Sequence, residues 1–237
     1  RRVLFRSIKT NKRWGDISTW VTLKKASQKY TIGFYLNSLD MRFNENSEII
    51  SQPEELQIYK KLFWRTLKVS VAITVICILL AYPISFLMST LPLKTSNLLM
   101  ILVLLPFWTS LLVRTTSWIV LLQTEGTLND LMVYFGFIED ESRIQMIYNL
   151  TGTVVAMTHI LLPFMVLPLF SVMKTIPPSY MRAARSMGAN PPYAWWKVYM
   201  PLTLPGIAAG SILVFILSVG YYITPALVGG QSGTLIS

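Results

Sequence analysis

Charge is scarce in this chain. Only 14% of its 237 residues are Asp, Glu, Lys or Arg, against about 25% in ordinary soluble domains. With 53% hydrophobic residues, that shortage excludes intrinsic disorder, which needs low hydrophobicity, and argues against a water-soluble domain. Histidine and cysteine are nearly missing, at one residue each. Cys77 sits in an apolar run, so an internal disulfide and a Cys-based metal site are both excluded, and it reads as a small buried hydrophobe. A Gly-rich loop ending in Lys and Ser/Thr, which would cradle phosphates, is also absent. No nucleophile, base and metal constellation stands out. The chain is therefore expected not to be an enzyme and to bind no cofactor itself.

The charge that is present is uneven. Residues 1–65 hold 13 of the 21 Lys/Arg and 6 of the 11 Asp/Glu, leaving 8 and 5 for the other 172. A net charge of +10 invites a nucleic-acid reading, but that needs a basic patch beside a readable fold, and most of this chain is nearly charge-free. No nucleic-acid partner is expected; a lipid bilayer is. The first residue is Arg1 and the last ones form a Gly/Ser stretch just past an apolar segment, so the chain is expected to be a fragment of a longer polypeptide.

A helix needs about 20 apolar residues to cross a hydrocarbon core of about 30 Å, because lipid offers no partner for backbone polar groups. Four stretches qualify, with spans predicted at about 67–90, 97–122, 150–173 and 202–226. The second carries one internal cation, Arg114. Each span holds proline: Pro83, Pro106, Pro163 with Pro168, and Pro205 with Pro225. Membrane helices tolerate proline where neighbours satisfy the freed carbonyls, and kinked helices suit a pathway more than a passive anchor. The loops after the first and third spans carry five cations, against one in the middle loop. The positive-inside rule puts those two loops in the cytoplasm. Residues 1–65 would then lie outside, although their near-membrane cations bring that contest to 4 against 5.

Residues 174–201, between the third and fourth spans, are too polar for the bilayer and too regular for a random loop. Pro177, Pro178 and Ser179 start a short helix through SYMRAARSM. Gly188 supplies a left-handed helix end, and Asn190 caps a second helix opening with Pro191 and Pro192 and stopping at Pro201. The expected product is a helix, turn, helix knob across the membrane surface. Ala183 and Ala184 give it a close-packing face between Arg182 and Arg185, with Tyr193, Trp195 and Trp196 at headgroup level.

The spacing from Arg182-Ala-Ala through Gly188 and Ala189 to Val198, Met200 and Pro201 resembles the EAA loop of binding-protein-dependent ABC transporter permeases. Arg182 stands where that family usually has Glu, Val198 replaces Ile and Met200 replaces Leu. Two further motifs, LPFWTSLLVRTTSWIVLL at 105–122 and GYYITPALVGG at 220–230, look like the spermidine/putrescine branch of these permeases. Together the three motifs cover about residues 60–233.

The resemblance implies an all-α polytopic transmembrane bundle of the ABC importer permease type, holding four of six expected spans. Residues 1–65 would be an extracytoplasmic polar segment, 66–228 the permease domain with a cytoplasmic coupling loop at 174–201, and 229–237 the start of an extracytoplasmic loop. It further implies a second permease subunit, a cytosolic ABC ATPase dimer carrying ATP and Mg, an extracytoplasmic solute-binding protein, and a bacterial inner membrane. Arg182, Ala183, Ala184, Gly188, Ala189 and Pro201 would couple to the ATPase.

Arg114 is the one charge within a span, and charge at membrane depth marks a functional site or an anchor that snorkels. His159 lies mid-span with no acid or histidine at helical spacing, which favours hydrogen-bonded packing over proton relay. The spans contain no Asp or Glu to offset a polyamine, so aromatic faces are the available substitute. Trp108, Trp118, Tyr221 and Tyr222 with Arg114 are the candidate pathway lining, with Glu125 and Asp130 near the outer mouth. Alternatives are an importer for a phosphonate, an amino acid or ferric ion, or, in another class, a secondary transporter or channel. The last would need intramembrane acids for ion coupling, which the spans lack.

Overall fold

Four apolar runs become helices, and one of the four is broken. The computed structural model describes residues 16–27, 32–44, 48–233 and 235–236, and the chain divides into two units, residues 1–63 and 64–237. In the first unit, α1 (Ile17–Ser27) and α2 (Gly33–Ser38) precede an antiparallel hairpin of β1 (Met41–Phe43) and β2 (Ile49–Ser51). Its register pairs Arg42 with Ile50. Much of the basic segment, at residues 1–15, 28–31 and 45–47, lies outside the described residues.

Asp40 organises this unit. It is fully buried, sits at φ +55°, and its carboxylate accepts the backbone N–H groups of Ile58 (3.2 Å), Tyr59 (3.1 Å) and Lys60 (2.7 Å). Burial pushes its carboxyl pKa up, but the three N–H donors and the Lys60 charge outweigh this and hold it below the ordinary value. The bonds satisfy donors that a helix start otherwise leaves orphaned.

The helices that follow are α3 (Tyr59–Thr90), α4 (Leu93–Leu104), α5 (Leu111–Leu122), α6 (Thr127–Tyr134), α7 (Leu150–Thr175), α8 (Pro178–Ser186), α9 (Pro191–Ala194), α10 (Met200–Val219) and α11 (Ile223–Val228), with a closing turn α12 (Gly230–Gly233). Among the described residues three helices are long and apolar enough to span a bilayer, four if a bent pair counts as one. The all-α bundle read from the sequence is the observed architecture.

The centre of the bundle is α7, with 56% of its apolar window buried against 33% and 28% for the other two long helices. Ile73, Cys77 and Met88 of α3 share one core with Met157, Leu161, Met165 and Leu169 of α7 and Val214 of α10. Small residues set the closest approach. A Cβ on Gly210 would lie 2.6 Å from the Met165 sulfur, and one on Gly206 3.0 Å from Val172 Cβ, so α10 lies backbone-close to α7 as small-residue membrane interfaces do. Hydroxyls add cross-links: Ser218 donates to Ser70 at 3.2 Å and Ser85 to the Val166 carbonyl at 3.4 Å.

Two boundaries differ from the sequence reading. The span expected at 97–122 is not continuous. It runs as α4, a 3-10 turn (Leu105–Trp108) and, after two extended residues, α5, and the halves Leu93–Trp108 and Leu111–Tyr134 are bent by 96°. Pro83, Pro163, Pro168 and Pro205 all sit inside intact helices. Among the described residues Pro106 alone of these prolines has a hydroxyl on its own carbonyl, Thr109 Oγ1 donating to Pro106 O at 2.8 Å, a local bond that competes with the helical one. The fourth span begins early and ends early, because the helix that opens at Pro191 does not stop at Pro201 but continues to Val219. A π-helical turn at Trp195–Tyr199 adds a residue just before Pro201, giving its ring room without ending the helix. The second arm of the knob is thus the base of the fourth span.

Gly210→Val is expected to lower the melting temperature of the detergent-solubilised protein by several degrees, through about 1–3 kcal/mol of overpacking. Gly220→Ala, whose Cβ meets nothing nearer than 3.8 Å, is the matched change expected to leave it unmoved.

Candidate pathway and coupling site

The break in the second span draws in Arg114, the cation inside that span. The Arg114 guanidinium donates to the carbonyl of Pro106, to that of Thr109 at 3.0 Å and to Thr109 Oγ1 at 3.3 Å. It neither stands free in a pathway nor reaches up towards headgroups; it braces the elbow by bonding carbonyls the break releases. Trp108 projects from the elbow, 88% exposed, and Phe107 meets Phe164 of α7 edge to face with centroids 5.5 Å apart.

Trp118 goes elsewhere. Its Nε1 donates to His159 Nδ1 at 3.1 Å and the rings meet at 5.3 Å, so the imidazole proton sits on Nε2. His159 has the hydrogen-bonded packing role expected of it. Thr115 and Thr224 face each other at 3.3 Å, tying α5 to α11. Tyr221 packs against the main core, within electrostatic range of Arg114, while Tyr222 is exposed. The five candidate lining residues therefore do not form one surface: Trp108 and Tyr222 are open, Arg114 serves the elbow, and Trp118 and Tyr221 are part of the packing.

In the segment between the third and fourth spans, α8 ends at Ser186 and Gly188 follows at φ +90°. There an L side chain is strained, which is why glycine suits the turn. Gly188 N–H bonds the Arg185 carbonyl at 3.0 Å and Ala189 N–H the Ala184 carbonyl at 3.1 Å, closing the helix as a left-handed cap does. Asn190 Oδ1 accepts the Tyr193 N–H at 3.0 Å and starts the next helix. Ala184 and Ala194 are buried at the bend, so Ala184 packs within the segment; Ala183, Arg182 and Arg185 remain exposed, as does Pro201. A cavity of about 440 Å³ opens between the arms, lined by Ala184, Met187, Gly188, Tyr193 and Lys197 among others. Trp195 is half-buried. It packs edge to face on Tyr82 of α3 at 5.6 Å, which locks the segment to the bundle.

The loop after α5 holds a polar cavity of about 510 Å³ lined by Thr124, Glu125, Asp130, Asp140, Glu141 and Arg143. Asp130 is not a free acid there. Arg143 bonds Asp130 and Asp140 at 2.8 Å each, and these bonds, from Asp140 and then Asp130, raise the guanidinium pKa. Buried Asn129 fixes the loop by donating to the Gln123, Thr124 and Ile144 carbonyls.

Residues 77–237, more than half of the chain, match the family described as "Binding-protein-dependent transport system inner membrane component". The chain belongs to that family. It is 36% identical over 179 residues to the spermidine/putrescine transport system permease protein PotB of Haemophilus influenzae, covering 76% of this chain and 62% of that one. Against PotB of Escherichia coli K12 the figures are 33%, 76% and 64%, and against the inner membrane ABC transporter permease protein YdcU of the same organism 34%, 70% and 56%. The chain spans less than two thirds of the length of these curated relatives. All are named as permeases and none as an enzyme. As a member of an inner-membrane family with several helices of spanning length, this chain resides in the inner membrane.

Arg114→Gln takes from the Thr109 carbonyl its guanidinium donor, while the Pro106 carbonyl keeps the Thr109 N–H and Oγ1; it is expected to lower the thermal stability of the purified protein by several degrees, while Arg114→Lys, which keeps a cation with fewer donors, recovers part of that loss. The measurement is a paired melting curve; equal stability of all three proteins would show the brace to be idle.

Proposed function

We propose that the chain is the membrane-spanning permease subunit of an ATP-driven ABC importer for polyamines, spermidine or putrescine. The observation that carries the mechanism is the coupling segment: a short exposed helix, a left-handed glycine, and a capped helix that continues without a stop from Pro191 to Val219. A partner that displaces α8 therefore pulls on a rigid lever reaching across the bilayer. Transport is alternating access, with closure of two cytosolic ATPases moving the coupling helices. ATP and Mg are held by that ATPase dimer; this chain contributes no cofactor site. A second permease subunit completes the pathway, and an extracytoplasmic binding protein delivers the cargo.

In this reading residues 174–201 are cytoplasmic, and residues 1–65, the loop at 123–143 and residues 229–237 are extracytoplasmic. Arg182, Ala183, Gly188, Ala189 and Pro201 face the ATPase, with Ala184 as the internal spacer. The pathway draws on Trp108, Tyr222 and the elbow that Arg114 braces, with Trp118 and Tyr221 behind. The polyamine assignment is supported by the PotB relatives and by the motif at 105–122. The engagement of Arg114 with its own carbonyls weighs against the anion reading, in which that cation would be the cargo's partner.

The test is ATP-dependent uptake of labelled spermidine by membrane vesicles carrying the full transporter, with putrescine, an amino acid and a phosphonate as competitors. Polyamine-selective competition is expected. Gly188→Val, strained at φ +90°, is expected to keep the ATPase subunit bound yet cut uptake at least tenfold. Uptake indifferent to polyamines, or full uptake in Gly188→Val, would contradict the respective halves of the reading.

A further inference from the structure

The elbow lies deep in the bilayer. Phe107 stacks on Phe164, the fifteenth of the 26 residues of α7, and so near the midpoint of a helix about 39 Å long at 1.5 Å per residue. At that depth the backbone is not helical. Thr109 and Ser110 are extended, with ψ 147° and 140°, and neither the cap of the 3-10 turn nor that of α5 has a side-chain bond. Arg114 and Thr109 serve the carbonyls of Pro106 and Thr109. Among the described residues no donor reaches the carbonyls of Phe107 or Trp108, and the N–H groups of Leu111, Leu112 and Val113 have no acceptor.

Such groups cost several kcal/mol each in hydrocarbon, and irregular backbone at membrane depth is tolerated only against protein or in a water-filled cavity. The elbow is also open. Phe107, Trp108, Thr109 and Ser110 are all exposed, Trp108 at 88%. A large indole held in the open beside unbonded carbonyls supplies a combination that packing does not need: lone pairs and a π face, both attractive to an organic cation. Broken helices at the midplane present carbonyls to cations in this way in membrane transport.

Resting on the polyamine reading above, we propose that this elbow is the cargo-contacting element of the permease, where the Phe107 and Trp108 carbonyls and the Trp108 ring take an alkylammonium group. Arg114 is a positioning residue: by occupying the Pro106 and Thr109 carbonyls it holds the turn in shape and leaves the next two free. The site selects primary and secondary amines, which donate to carbonyls, over quaternary ones, which cannot.

The test uses the assembled transporter in membrane vesicles with Ser110→Cys, reacted with a charged, membrane-impermeant thiol reagent; Cys77 is fully buried and stays silent. Ile101→Cys, exposed on α4 among Leu98, Leu102 and Leu105, is the control on an apolar face. Ser110→Cys is expected to react, Ile101→Cys not to, and saturating spermidine to slow the Ser110→Cys reaction at least fivefold while tetramethylammonium does not. Trp108→Ala is expected to raise the KM for spermidine about tenfold with kcat unchanged, and Trp108→Phe to raise it less than threefold. An unreactive Ser110→Cys would mean the elbow is sealed against a partner protein, and the proposal falls. Reaction without spermidine protection, in vesicles that do take up spermidine, overturns the cargo contact alone. Absence of spermidine uptake by the unmodified transporter overturns the polyamine reading instead, and the two failures are told apart by that measurement.

Discussion

In hydrocarbon a backbone polar group must find its partner within the protein or in a pocket of water, and the architecture of this permease follows from how it meets that demand. Three spans meet it as intact helices, even with Pro83, Pro163, Pro168 and Pro205 inside them. The second span does not. It breaks after Pro106, and Arg114 is spent on two of the released carbonyls. A cation at membrane depth, which in isolation suggests cargo chemistry, is first of all a structural answer to a broken helix.

The same demand explains the fourth span. A helix that stopped at Pro201 would strand its last carbonyls at the membrane edge. The π-helical turn at Trp195–Tyr199 lets the backbone pass the proline intact. The exposed coupling segment and the buried face of α10 thereby become one mechanical element. Trp195 on Tyr82, and Gly206 and Gly210 against α7, couple that element to the first and third spans.

Much of this was legible in the residues. Apolar runs located the helices, Gly188 and Asn190 announced their turn and cap, and the solitary His159 promised a hydrogen bond within the packing. The break was not legible, because Pro106 looks like the other span prolines. What sets it apart is a contact visible only in the fold, Thr109 Oγ1 on the proline's own carbonyl; Ser171 has the same spacing from Pro168 inside an unbroken helix. Pro201 misled in the opposite direction, since a proline alone does not reveal the wider turn before it. Trp118 and His159 are 41 residues apart, so a pathway aromatic and a packing aromatic were indistinguishable until the fold brought their nitrogens to 3.1 Å. Likewise the sequence placed Asp130 near the outer mouth but could not show that Arg143, 13 residues on, pairs with it at 2.8 Å.

The central claim is that the break in the second span opens onto water at the middle of the membrane. Hydrogen–deuterium exchange of the assembled transporter in lipid nanodiscs tests it directly, because the N–H groups of Leu111, Leu112 and Val113 have no acceptor within the described fold. The account gives exchange at these amides within seconds, while those of α7 on either side of Phe164 stay protected for hours. Protection of Leu111, Leu112 and Val113 equal to that of α7 would contradict it.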